Sequence, residues 1–225
     1  YQHGVFGESF EYGTLMTIDA SGSALQTYTL PNDTVFEDRR VRVTDLDDDG
    51  RKEVIVIVSH RDQGAALALY AFDAGSEGTS ASVFPMAQSA FIGTGQRWLN
   101  PLDGAVDLDG DGSREIAVIE TPHIRPTLRI HQWNGGKLDE LARFRLTDHS
   151  NHQMGSMDLA GAIFCDTGTI GQAAVQIPSS RGGASVFLLD MQAQTLSPTS
   201  LEPAERINPN FFDQNVACAR LRDQF

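Results

Sequence analysis

Asp45-Leu46-Asp47-Asp48-Asp49-Gly50-Arg51-Lys52-Glu53 runs directly into Val54-Ile55-Val56-Ile57-Val58. The pattern returns as Asp107-Leu108-Asp109-Gly110-Asp111-Gly112-Ser113-Arg114-Glu115, followed by Ile116-Ala117-Val118-Ile119. Both stretches read D-x-D-x-D-G-x-x-E and end in a β-branched run of strand length. Carboxylates this close together repel one another unless water or a cation neutralises them. Hard oxygen ligands at this spacing suit Ca²⁺. A solvated acidic turn is the alternative for one loop alone, and the repetition argues against it.

The loops depart from the EF-hand. Positions 1, 3, 5 and the Gly at 6 agree with it, but an EF-hand places a bidentate Glu at position 12 between two helices. Position 12 falls here on Val56 and Val118, inside strand-like runs. The available carboxylate is instead at position 9, where the chain enters the strand. The expected ligands are Asp45, Asp47, Asp49, the carbonyl of Arg51 and Glu53 in the first loop. In the second they are Asp107, Asp109, Asp111, the carbonyl of Ser113 and Glu115. The glycines at position 6 allow the positive φ that a sharp turn requires.

With their flanks, Val43-Thr44-Asp45-Leu46-Asp47-Asp48-Asp49-Gly50 and Ala105-Val106-Asp107-Leu108-Asp109-Gly110-Asp111-Gly112 resemble the FG-GAP/VCBS repeat. That repeat builds β-propeller blades in integrin α heads and in many bacterial secreted proteins. The resemblance implies Ca²⁺ held in the hairpin between the first two strands of a blade. It covers two blades closely and says little about activity.

Asp45 and Asp107 stand about 60 residues apart, a repeat length of the propeller kind. A further step of that length reaches Asp166-Thr167-Gly168-Thr169-Ile170-Gly171, where Gly168, Ile170 and Ala174 replace the carboxylates of positions 3, 5 and 9. This third loop is expected to hold no metal. Four strands are legible in each repeat: 40–44, 53–59, 65–72 and 81–84; then 104–108, 115–120, 127–133 and 138–145; then 162–165, 173–177, 185–190 and 196–201. The N-terminal segment offers strands at 8–12, 14–18 and 25–30, and Asn215–Leu221 offers one inner strand. Joined, the ends make a blade. The expectation is therefore one all-β domain over residues 1–225, a propeller of four blades of about 56 residues with the last shared by both termini. A fragment of a larger propeller is the alternative.

The chain is 40% hydrophobic and 21% charged, with a net charge of −13. Acidity of this size disfavours nucleic acid and anionic membrane surfaces, and the seventeen Lys and Arg form no run. No apolar stretch approaches the ~18 residues of a membrane span, so membrane insertion is not expected. The chain begins at Tyr1, which fits removal of a leader; a periplasmic or extracellular location is expected. Cys165 and Cys218 each end an inner strand of neighbouring blades. They are candidates for a disulfide in an exported chain, with two buried thiols as the alternative.

The sequence contains no nucleophile elbow, P-loop, H-E-x-x-H or dinucleotide fingerprint. His149 and His152, three apart, could chelate a transition metal, but ordinary loop histidines explain them as well. The segments entering the inner strands carry Glu37, Asp38 and Arg39, then Arg97, Trp98 and Asn100, then Asn151 and His152. In a propeller these converge on an axial funnel opposite the acidic loops, where they form a ligand-binding site or cap the channel by bonding one another. The leading reading is a calcium-binding, non-enzymatic interaction module with an unidentified protein or carbohydrate ligand. The alternative is a carbohydrate-active enzyme with Glu37 and Asp38 as acid–base groups. A purely structural repeat within a larger secreted assembly is the third.

Overall fold

A computed structural model of the chain describes residues 11–38, 40–73, 82–95, 97–152, 160–166 and 169–200. Among the described residues there is no helix, and the strands form four antiparallel sheets. A hairpin pairs β1 (Thr14–Ile18) with β2 (Ala24–Thr29). The first large sheet contains β3 (Thr34–Phe36), β4 (Arg42–Thr44), β5 (Glu53–His60), β6 (Gly64–Asp73) and β7 (Ser82–Gln88). The second contains β8 (Leu99–Pro101), β9 (Ile116–Glu120), β10 (Thr127–Asn134) and β11 (Lys137–Arg145). The third contains β12 (Ala162–Asp166), β13 (Gln172–Pro178), β14 (Ala184–Asp190) and β15 (Thr195–Pro198).

The sheets stack face to face. Side chains alternate across a strand, so Ile55, Ile57, Leu67 and Leu69 leave the first sheet on one face and meet Ile116 and Val118 of the second. Val56, Val58, Ala66, Ala68 and Tyr70 leave on the other and meet Leu15, Tyr28 and Leu30 of the hairpin region. Ala117, Ile119, Leu128 and Ile130 turn to the third sheet and pack on Ile163, Ala173, Val175 and Ile177. A middle strand covered on both faces has no solvent side, which is why β5 reads as an unbroken apolar run rather than an alternating one. Each fully buried Leu or Ile contributes about 1.5–3 kcal/mol.

The expected first strands need correction. In the first sheet the strand is split: β3 pairs with Val58–His60 and β4 with Glu53–Ile55 of the same β5. In the second the expected strand 104–108 is not continuous; Leu99–Pro101 pairs with Val118–Glu120, and Val106 alone bridges Glu115. The cause lies between sheets. Asp103 turns its backbone to the third sheet, donating to the carbonyl of Gly161 at 3.0 Å and accepting from Ile163 at 2.9 Å. The third sheet repeats the split, with His149 bridging Ser179 ahead of β12. β7 also runs further than expected, past Pro85 to Gln88, on an edge where a missing N–H is tolerated.

His131 on β10 is 1% exposed, with neither ring nitrogen hydrogen-bonded. Burial, then Arg129 and Arg143, push its pKa from 6.5 to about 4, against an opposing pull from Glu140. A depressed folded-state value means the unfolded chain takes up this proton first as pH falls. The stability contribution is complete above about 6.5 and is lost as pH drops toward 4. Thermal unfolding across this window should therefore show a shallower acid loss in His131→Leu than in the parent. Equal slopes would contradict this.

Candidate metal centre

The two acidic loops close on equivalent pairs. Thr44 faces Glu53 and Val106 faces Glu115, each one residue ahead of the first aspartate. Positions 4 and 6 turn left-handed in both loops: Asp48 (φ 59°) and Gly50 (φ 85°), then Gly110 (φ 81°) and Gly112 (φ 91°). Aspartate tolerates this region better than most residues, which explains how Asp48 stands where the second loop has glycine.

Backbone N–H groups fix the carboxylates. Leu46 N–H donates to Glu53 Oε2 at 2.7 Å, and Leu108 N–H to Glu115 Oε2 at 2.5 Å. Gly50 N–H reaches Asp45 Oδ2 at 2.9 Å, and Gly112 N–H reaches Asp107 Oδ2 at 3.0 Å. The result is two matched clusters, Asp45/Asp47/Glu53 and Asp107/Asp109/Glu115, with oxygen atoms within 4.8 Å of one another in each. Both clusters can hold a metal ion.

The glutamates are the buried members, at 4% and 0% exposure. Burial, followed by the neighbouring aspartates, raises both pKa values, that of Glu115 to about 7. Asp45 Oδ1 and Glu115 Oε1 are buried without a hydrogen-bond partner. A buried charge is costly unless paired or bound to a metal. The donor set, all carboxylate oxygen, fits a hard divalent cation.

The position-5 aspartates stand outside these clusters. Asp49 receives Nε and Nη2 of Arg51 at 2.8 and 2.6 Å, and Asp111 receives Gln132 Nε2 at 3.1 Å. The N–H groups of Arg51 and Ser113 close the same turns, donating to Asp49 and Asp111 Oδ1. The third loop lies partly outside the described residues. Its Gly171 has φ 91° and donates to the Leu108 carbonyl at 2.5 Å, while Arg114 N–H donates to the Leu46 carbonyl at 2.7 Å. The first loop is thus tied to the second, and the second to the third, through the carbonyl of its position-2 leucine.

The residues expected at an axial funnel fall into three sets of contacts. Asp38 is buried and ion-paired with Arg42 at 2.7 Å; Arg42 also donates to Asp103 Oδ1 at 3.1 Å and to the Pro101 carbonyl at 3.0 Å. Arg40 adds a second guanidinium to Asp103 at 2.5 Å. Asn151, on the chain leading to the third sheet, donates to the Asn100 carbonyl at 3.0 Å, so one polar seam joins three sheets. Burial raises the Asp38 pKa against the lowering pull of Arg42 and Arg40. Glu37 is buried beside this seam, its N–H donating to Ile57 at 3.0 Å. Trp98, His123 and His152 form a separate stack, with His152 Nδ1 and His123 Nε2 2.8 Å apart. Arg97, next to Trp98 in the chain, donates to the Ile92 carbonyl at 2.6 Å. Sequence reading missed Arg42 and Asp103; an Arg in an otherwise apolar strand start was the available signal. Arg39 and Cys218 lie outside the described residues, as does the side chain of Cys165.

Comparisons of the chain with models of known families, with curated proteins and with solved structures find no match.

Proposed function

We propose that this chain is a calcium-binding, non-enzymatic interaction module of an exported protein, built as a β-propeller of the FG-GAP/VCBS kind. The observation that carries the reading is the duplicated cluster. Two loops about 60 residues apart in a repeat architecture use the same register, turns and N–H donors to gather two aspartates and a buried glutamate. Ca²⁺ supplies the positive charge that lets the aspartate oxygens crowd against a buried glutamate in each loop. Asp45, Asp47 and Glu53 hold one ion, and Asp107, Asp109 and Glu115 the other. Extracellular calcium at millimolar levels fills even weak sites of this class, which agrees with export.

The stack of hairpin and three sheets supports the propeller. In that reading the hairpin belongs to a fourth blade completed by Asn215–Leu221, a segment outside the described residues. Among the described residues no strand joins the third sheet back to the hairpin. Deletion of 215–225 should give insoluble or strongly destabilised protein, since an unpaired sheet edge is exposed; a soluble deletion with unchanged melting would count against closure.

Titration calorimetry tests the calcium reading. Two Ca²⁺ per chain are expected, and one in Asp47→Ala, which removes one carboxylate while leaving like charges together. An unchanged stoichiometry in that variant would refute the assignment.

A further inference from the structure

We infer that the second sheet carries an anion-binding site for a small ligand with two or more phosphate, sulfate or carboxylate groups. The site is independent of calcium. A cavity of about 580 Å³ opens at the end of this sheet where β9 leaves and β10 begins, the end remote from the acidic loop. That volume is in the range of small-molecule sites, roughly 300–1,000 Å³. Four arginines line it, Arg97, Arg125, Arg143 and Arg145, against one carboxylate, Glu120. In a chain of net charge −13 this concentration of cations runs against the global balance.

Strand register assembles it. Thr127 lies opposite Glu120 on one side and Arg145 on the other, and Arg129 lies opposite Arg143 in the row beneath. The acids of this face are already answered: Arg129 binds Glu120 and Glu140, and Arg143 Nε donates to Glu140 at 2.6 Å. Arg125 and Arg145 have no side-chain partner among the described residues, and the terminal nitrogens of Arg143 have none either. Three guanidinium groups therefore retain planar donor forks suited to oxyanions.

The turn presenting Arg125 is also held for a purpose. Thr121 has φ 49°, which is strained for a β-branched residue, and such strain gathers at ligand sites. Its hydroxyl and that of Thr127 both donate to the Arg125 carbonyl, at 3.0 and 3.1 Å. These bonds hold the Arg125 backbone in place, so the ordering left to binding is that of the arginine side chains. The surrounding negative charge disfavours a long polyanion such as nucleic acid. A small anion can reach the arginines within a screening length of about 8–10 Å.

The test uses the full chain at saturating calcium, with sulfate, succinate and a disulfated disaccharide as probes, followed by calorimetry and by the arginine Nε–H resonances. Saturable binding of at least one probe is expected. It should weaken about tenfold or more in Arg125→Ala/Arg145→Ala while melting is unchanged, and be untouched by Arg181→Ala on the third sheet. Preference for the disaccharide would identify a sugar-borne anion, and equal binding a free one. No saturable binding of any probe up to about 10 mM, or equal binding by the double variant, would overturn the proposal.

Discussion

Removing calcium should lower the melting temperature by about 10–20 °C. An ion that binds only the folded state adds about 2.7 kcal/mol at a hundredfold excess over its Kd. Two such ions contribute about 5 kcal/mol, and each kcal/mol moves the melting point of a chain of this length by about 2–4 °C. The loss has a second source. Without the ion, Glu53 and Glu115 remain buried beside Asp45, Asp47, Asp107 and Asp109, with Asp45 Oδ1 and Glu115 Oε1 unpartnered. Differential scanning calorimetry in EDTA measures the shift, and Ca²⁺ should reverse it better than Mg²⁺, which demands a smaller octahedral shell. Asp45→Asn/Asp107→Asn should start from a reduced melting point and respond little to EDTA. A melting curve indifferent to chelation would mean that the loops are solvated turns.

Arg42→Ala should cost about 3–5 kcal/mol, because breaking a buried pair from one side leaves an uncompensated charge. Arg42 is 8% exposed and serves Asp38, Asp103 and the Pro101 carbonyl at once. Among the described residues, its removal leaves Asp103 with Arg40 as its remaining ion-pair partner and takes from Asp38 the guanidinium that pairs with it at 2.7 Å. Arg42→Met separates charge from packing: it keeps the stem yet should lose nearly as much. Asp38→Asn should recover part of the loss in either background, giving a coupling that a double-mutant cycle in urea reads directly. Additive effects would show that the seam does not join the sheets energetically.

The acidic loops and the middle strands were legible in the sequence because their causes are local. Asp45 to Glu53 fix their own turn through N–H groups no more than seven residues away, and β5, β9 and β13 are largely apolar because both faces are buried. The split first strands were not legible. Asp103 leaves its own sheet to pair with Ala162, and Arg42 finds Asp103 61 positions along the chain. Neither contact leaves a signal in nearby residues. The partners of the position-5 aspartates were only partly legible: Arg51 beside Asp49 is local, whereas Gln132 reaches Asp111 from 21 positions away. The arginine-lined cavity draws on positions 97, 125, 143 and 145, scattered in sequence and joined only by strand register.

Anomalous scattering from crystals grown with calcium tests the central claim most directly. Two peaks per chain are predicted, one among Asp45, Asp47 and Glu53 and one among Asp107, Asp109 and Glu115, with none at the loop that begins at Asp166. Absence of density at either cluster under millimolar calcium would contradict the account.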